Sequence, residues 1–97
     1  MSRRVKVSEY RGLIERQNYR CALTGRELTP QTADADHMMP ASRGGEHEIE
    51  NIQILHMDVN RAKGTMTTEE FVQMCVEVAV HAGGCEAKTM PEMSRMA

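Results

Sequence analysis

Three stretches decide the fold: Asp36-His37-Met38-Met39-Pro40-Ala41-Ser42-Arg43-Gly44-Gly45, Ile52-Gln53-Ile54-Leu55, and Asn60-Arg61-Ala62-Lys63-Gly64. Ala33 to Met38 reads as a short extended segment, because it is brief and leads straight into a turn-forming proline. Pro40 followed by the paired glycines marks a loop whose backbone takes unusual angles or passes close to a ligand. Ile52 to Leu55 reads as a strand returning from that loop. His56 to about Lys63 contains no helix breaker until Gly64, so a helix of two turns follows. The order is strand, loop, strand, helix.

Outward from this centre, Ser8 is a candidate cap for a helix from Glu9 to Gln17, on which Tyr10, Leu13 and Ile14 share one buried stripe. Asn18 can take the left-handed conformation that ends such a helix. Tyr19 to Leu23 reads as a short extended piece turning at Thr24-Gly25, and a loop follows through Thr29 to Thr32. On the other side, Thr67 and Glu70 form a capping box ahead of Phe71, Met74, Cys75, Val78, Ala79 and Ala82, which are spaced as one helical face that Gly83-Gly84 ends. These elements make an α+β domain over residues 1–85, with its core in 19–71. Residues 86–97 have no consistent period and are expected to form a mobile tail.

The whole chain is 97 residues, 40% hydrophobic and 27% charged, the composition of one small globular domain. It has no apolar run near the roughly 18 residues of a membrane span and no leader-like opening, so no membrane partner and a cytoplasmic location are expected. Cys21, Cys75 and Cys85 are too few and too scattered for a disulfide framework and read as reduced thiols. Residues 1–26 carry seven basic against two acidic residues, a net of +5, while the remainder carries −7. A basic face ahead of an acidic body suits a protein that meets phosphate on one side only.

Taken together, Asp36-His37, Pro40, Ser42, Gly44-Gly45, Asn51, Gln53, Leu55 and Asn60-x-x-Lys63-Gly64 resemble the HNH endonuclease family, in a pattern running from Tyr19 through Phe71. The resemblance implies a ββα-metal core, a two-stranded antiparallel hairpin plus a helix, flanked by N- and C-terminal helices. It implies hydrolysis of DNA phosphodiester bonds, by nicking or cutting, with His37 as general base, since a neutral imidazole can accept a proton near neutral pH. It also implies one divalent ion held by Asp36 and Asn60, and oxygen ligands favour Mg2+ or Mn2+ over zinc. In the same pattern Asn51 belongs to the loop, where its amide would hold the histidine in place. Arg43 and Lys63 are candidate phosphate contacts, Lys63 because it lies one helical turn after Asn60. His47, His56 and His81 read as surface or core residues without a role.

Small members of the family resemble proteins of phages and prophages, which adds a terminase or portal protein to DNA as an implied partner. The alternatives are a catalytically weak nucleic-acid-binding module, a DNA-packaging accessory built on the same fold, and a nuclease toxin. Many members staple the fold with a zinc held by two Cys-x-x-Cys pairs, whereas the corresponding positions here are Cys21-x-x-Thr24 and His56-x-x-Val59. Two of four ligands are missing, so no structural zinc is expected. Small domains without such a staple often dimerise, which makes a homodimer an expected state. Elemental analysis of chelator-washed protein should find less than one zinc per chain, with helix content by circular dichroism unchanged by the chelator. Stoichiometric zinc whose removal unfolds the domain would contradict the expectation.

Overall fold

A computed structural model describes residues 5–83, and the expected tail at 86–97 lies outside them. The order of elements is α1 (Val7–Arg16), β1 (Ala33–His37), β2 (Ile52–His56), α2 (Met57–Lys63) and α3 (Thr68–His81), with short 3-10 turns at Ala41–Arg43 and Ile49–Asn51. The strands pair antiparallel, Ala33 opposite His56 through His37 opposite Ile52. The architecture is therefore α+β, a hairpin and helix with further helices before and after them. The described residues fall into two compact units divided between Thr67 and Thr68.

In the first unit α2 packs on one face of the hairpin and α1 lies against β2. Side chains alternate along a strand, so Asp34, Asp36, Gln53 and Leu55 share one face while Ala35 and Ile54 share the other. Helix α2 packs on the first face, with bonds to Asp34 and Asp36, and α1 packs on β2. All four residues Ile52 to Leu55 are buried, as expected of a strand covered on both sides. Leu55 has no exposed surface, and Val59, Cys21 and Leu28 complete the centre of the core.

The outer edge of β2 would leave backbone groups unpaired, which is costly away from water. Gln17 closes it: its amide Nε2 donates to the Ile54 carbonyl at 2.9 Å and its Oε1 accepts from the Ile54 N–H at 3.0 Å. A side chain at the end of α1 thus acts as one rung of a third strand. The Ala22 N–H adds a further bond to Ile54 at 3.1 Å.

Two expectations at the N-terminal side are corrected. Helix α1 begins at Val7, and Glu9 Oε1 accepts the Lys6 N–H at 3.0 Å, so Ser8 lies inside the first turn instead of capping it. Tyr19 to Leu23 is not a strand. Asn18 takes the expected positive φ of 56°, but Tyr19 follows at 59°, and two consecutive left-handed residues turn the chain. What remains is a single bridge between Arg20 and Glu27.

The second unit is α3, which starts one residue after Thr67, where the capping signal put it. Phe71 on its apolar stripe is buried, whereas Met74 and Val78 on the same stripe are exposed.

Lys63 corrects a larger expectation. It is 1% exposed, and its Nζ lies 3.2 Å from Asp36 Oδ1, 3.1 Å from Asp36 Oδ2 and 3.1 Å from the His37 carbonyl. The face it shares with Asn60 is the one α2 turns toward β1, so the ammonium cannot meet DNA phosphate from there. Removing one member of a buried pair leaves the other charge uncompensated, at a cost of about 3–5 kcal/mol. Lys63→Met should therefore lower unfolding stability by about that amount, and Lys63→Met combined with Asp36→Asn should recover part of the loss. Denaturant titration reads both, and an unchanged midpoint in the single variant would contradict the structural role.

Candidate active site

The loop from Met38 to Asn51 carries the site, and Asn51 closes it. Asn51 Nδ2 donates to the Met39 carbonyl at 3.0 Å and the Glu46 carbonyl at 2.9 Å, and its Oδ1 accepts the Met39 N–H at 3.0 Å. Its own carbonyl accepts from Met38 N–H at 2.8 Å, extending the hairpin ladder by one bond. Gly45 donates its N–H to the Pro40 carbonyl at 2.9 Å, and a side chain there would drive its Cβ into the Met39 carbonyl. Close backbone approach, not an unusual φ, is what requires glycine at position 45; its neighbour Gly44 has φ 92°.

His37 ends β1, half-buried, with its side chain on the strand face opposite Asp36. Its Nε2 lies 2.9 Å from Nδ1 of His47, which the closed loop carries back to it. Among the described residues no hydrogen bond joins Asn51 to His37; Asn51 holds the loop on both sides of Gly45. His47 is a residue that sequence reading passed over. Ten positions and a folded loop separate it from His37, and no spacing rule marks such a contact.

On the α2 side, the oxygen-bearing side chains form two rungs between strand and helix. Asn60 Nδ2 donates to Asp34 Oδ2 at 3.3 Å, and Lys63 and Gln53 donate to Asp36, Gln53 at 3.0 Å. Asp34 was also passed over, although its position two residues before Asp36 on a strand puts both carboxylates on one face. Among the described residues no three His, Cys, Asp or Glu side chains cluster to hold an ion, so an ion site here has to draw on the Asn60 amide.

Asp34, Asp36 and Asn60 each offer oxygen, the donor type of a hard divalent cation. A carboxylate presents about four lone-pair directions, and an amide oxygen two. Asp34 and Asn60 share one hydrogen bond, in which Asn60 uses its nitrogen, leaving its oxygen as donor. Asp36 is 7% exposed and the least open of the three, because Lys63 and Gln53 hold it. Two carboxylates against one ammonium leave the face net negative, as cation binding requires.

Arg43 sits exposed on the 3-10 turn Ala41–Arg43, where its guanidinium makes a long contact of 3.5 Å to the Thr65 carbonyl. At the positions that carry zinc ligands in other proteins of this pattern, Thr24 is bonded to Cys21 and Val59 is a buried apolar residue. Burial pushes the Cys21 thiol up, but the Thr24 hydroxyl and the backbone amides of His56, Leu23 and Thr24 outweigh it, leaving the thiol below its ordinary value. His56, read as a residue without a role, caps α2: its Nδ1 accepts the Asp58 N–H at 3.1 Å.

Compared with known proteins, residues 19–65 match the model of a protein family described as HNH endonuclease. No curated protein matches the chain.

Asn51→Ala removes three side-chain bonds at once, each worth about 0.5–1.5 kcal/mol net, and should destabilise the protein by about 1–3 kcal/mol. Gly45→Ala should have a comparable effect through steric overlap. Thermal unfolding of both variants checks this, and wild-type stability in both would mean that the loop is not held as described.

Proposed function

We infer that the protein is a divalent-metal-dependent endonuclease hydrolysing DNA phosphodiester bonds, from the match of residues 19–65 to the HNH endonuclease family and from the site's geometry. The observation that carries the reading is the junction of β1 and α2. There a histidine ends β1 on one strand face, while the opposite face bears two carboxylates and the amide of Asn60.

In the reaction, His37 takes a proton from the water that attacks phosphorus. The bond to the 3′-oxygen breaks, that oxygen takes a proton from solvent water, the phosphate stays on the 5′ side, and His37 releases its proton to solvent. Asp36 and Asn60, with Asp34 beside them, would hold the ion. When bound, the ion supplies Lewis-acid stabilisation of negative charge on the leaving oxygen. Magnesium or manganese suits this donor set, since all three side chains offer oxygen. Asn51 holds the loop, and Arg43 on its exposed turn is proposed to contact backbone phosphate, a contact that positions DNA without reading sequence. The basic residues of positions 1–26 favour the same polyanion.

Purified protein incubated with supercoiled plasmid should convert it to nicked or linear DNA with magnesium or manganese and not with chelator. His37→Ala should slow this by about a hundred- to ten-thousand-fold while leaving DNA and metal affinity unchanged. Asp34→Asn and Asn60→Ala should instead weaken metal binding, measured by calorimetry with Mn2+. Plasmid binding without metal-dependent cleavage would replace the reading with that of a nucleic-acid-binding module, and full activity in His37→Ala would move the base elsewhere.

A further inference from the structure

The contact between the two imidazoles carries information beyond the family reading. Their ring centroids are 5.2 Å apart and the planes are tilted by 48°, while Nε2 of His37 and Nδ1 of His47 approach to 2.9 Å. The rings therefore meet nitrogen to nitrogen instead of stacking. One ring must donate an N–H and the other must accept it with a lone pair.

The two choices differ in consequence. If His47 donates, His37 accepts at Nε2 and carries its own hydrogen on Nδ1, so its single lone pair is used and it cannot take a proton from water. If His37 donates from Nε2, its Nδ1 holds a free lone pair. Only the second arrangement leaves His37 able to act as a base.

We propose that His47 is a positioning residue that fixes the tautomer and ring orientation of His37, accepting its Nε2–H so that Nδ1 presents the lone pair to water. The proposal rests on the nuclease reading for its functional consequence, but the pairing itself does not. A partner on the far nitrogen of a working imidazole sets which nitrogen is protonated and how the ring is turned. When His37 takes the proton of water at Nδ1, it carries N–H on both nitrogens and His47 continues to accept at Nε2.

His47 is half-buried on a loop with few other anchors, so its own placement needs explaining. It follows Glu46, whose carbonyl accepts from Asn51 Nδ2, and lies two residues after Gly45, which packs against the Met39–Pro40 backbone. Asn51 and Gly45 thus act on His37 through His47. This gives the Asn51 amide a route to the histidine that it does not touch.

The test reads the tautomer directly. Long-range 15N–1H correlation spectra of the full chain at about pH 8, where an ordinary histidine is neutral, report which ring nitrogen bears hydrogen. In the wild type His37 should be the Nε2–H form. In His47→Leu, similar in bulk but with no acceptor, His37 should show the averaged signals of a mixture, and kcat for plasmid cleavage should fall about 10- to 100-fold with KM for DNA and Mn2+ affinity unchanged. His47→Asn, whose side-chain oxygen lies near the place of Nδ1, should restore part of both. Circular dichroism confirms that each variant is folded, and the Asn variant stands in if the Leu variant is not.

An Nδ1–H tautomer in the wild type, or a tautomer and kcat unmoved in His47→Leu, would overturn the proposal. A wild type that shows the Nε2–H form, loses it in His47→Leu and does not cleave DNA would sink the nuclease reading and leave the pairing intact.

Discussion

A lysine whose side chain has no solvent-exposed surface must have its charge met inside the protein, and here that single requirement ties the helix to the strand. Lys63 sits in the last turn of α2 and reaches the Asp36 carboxylate and the His37 carbonyl at the end of β1. Such a pair gains little stability over an apolar replacement, but it is strongly directional. It fixes which turn of the helix stands over which residue of the strand. Asn60, one turn earlier, is thereby set beside Asp34, and the face that carries the oxygen donors follows from that register.

The second constraint is the loop between the strands. The hairpin has 14 residues between His37 and Ile52, long enough to wander, and the Asn51 amide closes it with three bonds to the backbone. Gly45 permits the close approach that the closure demands. The result is a histidine at the strand end whose far nitrogen meets a second histidine, while the opposite strand face carries the carboxylates. Among the described residues no buried side-chain nitrogen or oxygen lacks a partner.

Much of this was legible in the sequence, for identifiable reasons. The hairpin and α2 follow from a strand-like run, a proline–glycine loop and the absence of breakers before Gly64, all local signals. Asn18 and the Thr67 start of α3 are likewise local. Lys63 was misread because a spacing of three shows that it shares a face with Asn60 but not which way that face points. Burial decides that, and burial is set by the sheet. Tyr19 to Leu23 looked extended because a positive φ at a tyrosine has no sequence signal. His47 and the Gln17 rung on Ile54 depend on chain closure over 10 and 37 positions, beyond any periodicity. Asp34 was within reach, since alternation along a strand already put it with Asp36.

Lys63 is an internal, paired ammonium that joins α2 to β1. The chain has three lysines, Lys6, Lys63 and Lys88, so the side-chain ammonium region of a 15N–1H spectrum is simple to assign. The Lys63 ammonium should give a signal protected from solvent exchange, with coupling across the hydrogen bond to the Asp36 carboxylate, and this signal should vanish in Lys63→Met. A Lys63 ammonium that exchanges with water as fast as that of exposed Lys6 would contradict it.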